Sequence, residues 1–262
     1  MAKVREETLS LCDDKIHPRV KIAGSGPALL YLHGDYGLIW NEFLDKLAEH
    51  FTVYAPEHPG TTPGDPDGLK PLDDMWDLVL YNYDLMDRLK LKSATVVGDS
   101  FGGMVAAEIA ATNPDRVSKL ALLAPMGLWR DDTPIKNYIV TPAAELAPLI
   151  LKDPAHPITK DIFTDPNNYD ADKIIRITWT LACVGKFIWP IPDKGLKKRM
   201  HRIKAPTLIV WGKQDRLIPP VYAEDFRKGI AGAKVELIDN ASHMLTFEQP
   251  AAIAKAVAGF LK

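Results

Sequence analysis

The chain has 262 residues, 47% of them hydrophobic and 25% charged, a composition that excludes a disordered or fibrous chain and supplies an ample core. Its net charge of −2 gives no general pull toward nucleic acid or an anionic membrane surface. An α/β fold routinely reaches this length as one unit.

The amino terminus, Met1-Ala2-Lys3-Val4-Arg5-Glu6-Glu7, is charged where a secretory signal needs an apolar core. Residues 6–23 then read as an opening pair of β-strands. Short interior strands at 28–32, 52–55, 94–98 and 119–124 alternate with helical segments near 40–50, 72–89 and 103–112. Such alternation argues for a parallel sheet covered by helices on both faces. The pattern stops after Ala124-Pro125 and resumes at Pro206. The intervening stretch holds no convincing strand. It is dense in large apolar residues and in proline: Pro134, Pro142, Pro148, Pro154, Pro157, Pro166, Pro190 and Pro192. Residues 127–203 therefore read as an inserted, mainly helical cap, with residues 1–126 and 204–262 forming the core.

The apolar stretch 120–129 includes Pro125 and Gly127 and is too short to span a bilayer. Cys12 and Cys183 stand far apart without metal spacing, so no disulfide and a cytoplasmic location are expected. The basic cluster Lys197, Lys198, Arg199, Arg202 and Lys204 reads as a solvated face. It lacks the interleaved aromatics that stack on bases.

Four constellations carry chemistry. In Gly98-Asp99-Ser100-Phe101-Gly102-Gly103 a buried strand turns straight into a helix. Backbone crowding at such a corner excludes side chains at positions 98 and 102, and the Ser100 hydroxyl is lifted clear of the sheet edge. The helix N-terminus and the Phe101 N–H face any oxyanion formed there. Earlier, Tyr31-Leu32-His33-Gly34-Asp35-Tyr36-Gly37 ends a strand in a loose turn that can aim the Asp35 N–H at the same spot. Only main-chain atoms are needed for that, and His33 reads as structural. After a strand ending at Trp211-Gly212, Asp215 can accept a histidine Nδ1–H and so fix its tautomer. After the strand at 235–238, His243 can take the Ser100 proton and return it to a leaving group.

On these motifs the chain resembles the α/β-hydrolase-fold serine hydrolases, from about residue 20 to its last helix. The resemblance implies a mostly parallel eight-stranded sheet flanked by helices, with a helical cap inserted after strand 6. It implies Ser100 as nucleophile, Asp215 as acid and His243 as base, with Phe101 and Asp35 as main-chain oxyanion donors. Glu57-His58-Pro59-Gly60 departs from the family's turn by carrying Glu in place of Asp. Asp99 lies beside the nucleophile position, not in it, which disfavours the alkyl-carbon chemistry of dehalogenases and epoxide hydrolases.

The expected reaction is acyl transfer on a small hydrophobic ester, as in a carboxylesterase, through an acyl-enzyme and without metal or organic cofactor. Partners other than a small-molecule substrate, whether nucleic acid or membrane, are not expected, and a homodimer is compatible. The alternative within the class is a carbon–carbon hydrolase of dienol ketones. Outside it stands a small-molecule receptor or scaffold on the same fold. Trp129, Tyr138, Phe163, Trp179, Phe187 and Trp189 give the insertion more apolar surface than its own helices can bury, suiting an apolar cleft above Ser100.

Overall fold

A computed structural model describes residues 3–165 and 167–262, leaving Met1, Ala2 and Pro166 outside the described residues. Eight strands build one sheet: β1 (Arg5–Thr8), β2 (Arg19–Ala23), β3 (Ala28–Leu32), β4 (Thr52–Pro56), β5 (Ala94–Asp99), β6 (Val117–Leu123), β7 (Thr207–Gly212) and β8 (Lys234–Ile238). Their order across the sheet is β1-β2-β4-β3-β5-β6-β7-β8. Only β2 runs against the others. β5 and β7 are buried at every residue, as parallel strands covered on both faces must be.

Helices α1 (Glu42–Ala48), α2 (Met75–Arg88) and α3 (Phe101–Thr112) follow β3, β4 and β5. The first two begin later than the apolar periodicity predicts because side chains cap them. The Asn41 side chain accepts from Leu44 N–H at 3.2 Å, and that of Asp74 from Trp76 N–H at 2.7 Å. Each satisfies a donor that the first turn otherwise leaves free. By contrast α3 starts two residues earlier than expected, because the turn at Ser100 passes directly into it. It is almost wholly buried, which its small residues Ala106, Ala107, Ala110 and Ala111 permit. Its one charged side chain, Glu108, is held by Arg199, whose Nε donates at 2.9 Å.

Between β6 and β7 lie α4 (Ala143–Ile150), α5 (Thr159–Ile162) and α6 (Ala171–Ile188), with no strand of the sheet among the described residues. After β7 come α7 (Val221–Gly229), α8 (Leu245–Glu248) and α9 (Pro250–Leu261). Because β5 sits between β3 and β6, its carboxyl end is central. The ends of β3, β7 and β8 open on the same rim, which is where α/β sheets gather ligands.

Candidate active site

Ser100 adopts φ 52° and ψ −112°, a conformation few non-glycine residues occupy. Strand β5 enters the corner and α3 leaves it in so little space that a Cβ on Gly98 would meet the Gly102 carbonyl. One on Gly102 would meet the carbonyls of Leu32 and His33. The two glycines flanking the serine thus follow from close backbone approach.

The structure brings Ser100, His243 and Asp215 together. Ser100 Oγ lies 2.8 Å from His243 Nε2, and His243 Nδ1 lies 2.9 Å from Asp215 Oδ2. Asp215 is held firmly: Oδ1 accepts the N–H groups of Leu217 (3.0 Å) and Ile218 (2.9 Å), and Oδ2 accepts Trp211 Nε1–H at 3.1 Å. With its carboxylate facing Nδ1, the His243 proton sits on that nitrogen and Nε2 faces the serine. All three side chains are buried.

Phe101 is the first residue of α3, where a helix leaves its N–H without an internal partner. Asp35 arrives on the loop after β3, and its side chain, which the expected main-chain role does not need, reaches the site. Its carboxyl Oδ2 lies within hydrogen-bond distance of Ser100 Oγ, at 2.8 Å, and its Oδ1 accepts from the Tyr138 hydroxyl. Tyr138 comes from the β6–β7 segment, so an aromatic of the insertion touches the rim of the sheet.

A second buried acid, Asp99, lies under the same site. Thr246 Oγ1 donates to it at 3.3 Å and the Tyr31 hydroxyl at 3.4 Å, both long contacts. Burial is the main reason its carboxyl rises to about 7, with His243 opposing and the Asp35 charge adding to the rise. Burial likewise raises Asp35, held back by the hydroxyls of Tyr138 and Ser100. Burial resists charging of His243, yet Asp215, and after it Asp35 and Asp99, outweigh that and push the imidazole up to about 9. The site is one coupled cluster of three carboxyls and an imidazole.

His33 and His58 do a different job. His58 N–H donates to His33 Nε2 at 3.1 Å, leaving His33 Nδ1–H to donate to the Gly34 carbonyl at 2.7 Å. His58 Nε2–H in turn donates to the His33 carbonyl at 2.8 Å. Burial pulls both imidazoles down, His58 to about 4. The neutral pair ties the Asp35 loop to the turn at 57–60. Glu57, the departure in that turn, reaches back to pair with Arg19 of β2.

Tyr31, Tyr36, Ile39, Leu217, Met244 and Phe247 also line the cavity over Ser100, which gives the centre of a water-sized sphere only about 30 Å³. Tyr36 Oη is buried there with no hydrogen-bond partner among the described residues. Sequence reasoning missed the Asp35 carboxyl, Asp99, Tyr36 and Tyr138 as members of this cluster. The acid at position 35 was visible beside the oxyanion corner, whereas nothing local marks Tyr138. Among the described residues no three carboxylate, imidazole or thiol groups are placed so that they could hold a metal ion together.

A strand–serine–helix corner with an imidazole and a carboxylate on the same sheet rim is the layout of an α/β-type hydrolase. Residues 29–256 match the alpha/beta hydrolase family, and the chain belongs to it. Monoacylglycerol lipase ABHD6 of Homo sapiens is 32% identical over 91% of this chain and 76% of its own length. Among solved structures, naproxen esterase from Bacillus subtilis superposes with a TM-score of 0.72 at 19% identity, covering 100% of this chain and 92% of that one. The 2-hydroxy-6-oxo-6-phenylhexa-2,4-dienoate hydrolase of Rhodococcus sp. strain RHA1 gives 0.73 at 20% identity, covering 100% and 99%. Both are similar to this chain in fold.

Proposed function

We propose that this hydrolase cleaves a small hydrophobic carboxylic ester through an acyl-enzyme on Ser100, with His243 as base and Asp215 as its orienting acid. The observation that carries this reading is the run of contacts Ser100 Oγ to His243 Nε2 to Asp215 Oδ2, at 2.8 and 2.9 Å. His243 takes the hydroxyl proton as Oγ attacks the carbonyl carbon, then gives it to the leaving alkoxide. Water enters and reverses the sequence to free the acid. The main-chain N–H groups of Phe101 and Asp35 are the proposed oxyanion donors, each worth about 10²–10³ in rate.

Residues 127–203 act as a cap in this reading, and the contact from Tyr138 to Asp35 supports it. The narrow, largely apolar cavity favours short to medium acyl groups. A relative named for monoacylglycerol hydrolysis adds glycerol monoesters to the substrates worth assaying.

Turnover of p-nitrophenyl esters of graded chain length tests the proposal. Wild-type protein should hydrolyse the short and medium esters, and Ser100→Ala should retain at most about 1 part in 10⁴ of that activity. No turnover of any ester, with cleavage of a dienol ketone, would move the reaction to the carbon–carbon bond. Inertness toward both would favour a receptor.

A further inference from the structure

Ser100 has one hydroxyl proton and two neighbours that both want it. Asp35 Oδ2 and His243 Nε2 each lie 2.8 Å from Oγ. With Nδ1–H committed to Asp215, neutral His243 offers only a lone pair at Nε2, and an ionised Asp35 offers only lone pairs. Both contacts are hydrogen bonds only if the cluster holds one more proton than a bare serine–histidine–aspartate set. That proton has two homes. It sits on His243, which then donates to Oγ while the hydroxyl donates to Asp35. Otherwise it sits on Asp35, which donates to Oγ while the hydroxyl donates to His243. Only the second arrangement leaves a base facing the serine.

We propose that Asp35 acts through its side chain, as a proton-bearing carboxyl that donates a hydrogen bond to the reacting carbonyl oxygen and so completes the oxyanion site. This rests on the Ser100 hydrolase reading above. Asp35 is the residue whose N–H is proposed above as an oxyanion donor, and its carboxyl lies against the attacking atom. An ionised carboxylate there would face the developing oxyanion charge, and like charges in a dry site repel strongly.

In the step itself an Oγ lone pair bonds to the carbonyl carbon and the hydroxyl proton passes to Nε2. The C=O π pair moves onto oxygen, which takes the hydrogen bond from Asp35. On collapse the π pair returns and the leaving group departs with the proton from His243. Asp35 keeps its own proton throughout, so nothing is consumed.

The titratable and polar groups that share the cavity with Asp35 are Tyr36 and His33 from its own loop, Tyr31 from β3, Asp99 from β5, and Ser100 just before α3. Tyr138 faces it from the insertion and His243 from the loop after β8. Burial keeps the proton on, while the Ser100 hydroxyl and the His243 charge oppose it. The Tyr138 hydroxyl, donating to Oδ1, favours its loss.

The test is the pH dependence of kcat for ester hydrolysis, with fluorophosphonate labelling of every variant as a control. The wild-type profile should be bell-shaped. At low pH a second proton disables His243, and at high pH Asp35 ionises against the oxyanion. Asp35→Asn keeps an N–H donor but cannot ionise, so its descending alkaline limb should vanish. Its ascending limb should stay near the wild-type position, because Asp35 is uncharged there and Asn brings no charge either. Asp35→Ala should lose about 10²–10³ in kcat with KM little changed. Tyr138→Phe removes a donor to the carboxylate, so the alkaline limb should move to higher pH, which a purely structural role would not do. If Asp35→Ala is labelled and turns over like wild type, or if Asp35→Asn keeps the alkaline limb, the carboxyl is not a donor, while the Ser100 reading stands. If wild-type Ser100 is not labelled at all, both readings fall together.

Discussion

Asp99 is a buried carboxyl one residue from Ser100, with two long hydrogen bonds to satisfy it among the described residues. Its pKa rises from 3.8 to about 7. A raised pKa means that the folded state holds a proton the unfolded chain has already lost. The cost is therefore absent below about pH 4, grows between the two pKa values and is complete above about 7. At about 1.4 kcal/mol per pKa unit the full cost is about 4 kcal/mol. Asp99→Asn removes the ionisation with little change of shape. Urea unfolding should show the variant level with wild type near pH 4 and more stable by up to about 4 kcal/mol at pH 8. A gap independent of pH would contradict this. The stretches holding Ser100, Asp215 and His243 were legible because each follows a strand, where period and punctuation are strong signals. Tyr138 was not, since it meets Asp35 only after more than a hundred intervening residues have folded. The Asp35 carboxyl was read as a bystander because a main-chain role suffices for that loop in isolation.

At the level of elements, β3, β5 and α3 form one tightly packed corner. Gly102 lies so close to the Leu32 and His33 carbonyls that a methyl group there must push α3 away from the end of β3. Gly102→Ala should cost about 1–3 kcal/mol in stability, as overpacking does. It should also lower kcat/KM by about 10²-fold, because an ångström of displacement between Ser100 and His243 is enough. Unfolding and ester kinetics on one preparation check both, and full activity would show that the corner has slack. The strands were largely readable from their apolar runs, whereas helix starts were not. Asn41 and Asp74 shorten α1 and α2 through side-chain caps, and Ser100 lets α3 begin early through its own backbone angles. Those effects belong to single residues, which an averaged periodicity cannot see.

Across the whole molecule, the sheet gathers the ends of β3, β5, β7 and β8 onto one rim, and the segment between β6 and β7 contributes Tyr138 to it. Alternation of strand and helix announced the sheet, and its interruption at Pro125 marked where the helical segment between β6 and β7 begins. How the insertion's aromatics divide between its own packing and solvent was not readable: Phe187 is buried, while Trp179 and Trp189 are 42% and 49% exposed. That division depends on how α6 lies over the core, with Trp179 Nε1–H donating to the Gly60 carbonyl at 2.8 Å. The nucleophile role proposed for Ser100 draws on this whole assembly, since a serine hydroxyl is inert without a base and its orienting acid, and His243 and Asp215 arrive from loops far along the chain. The most direct measurement is intact mass after treatment with a fluorophosphonate, followed by peptide mapping. One adduct should form, map to Ser100 and be absent from Ser100→Ala. No adduct on the wild-type chain, or one that persists in Ser100→Ala, would show that Ser100 is not the nucleophile.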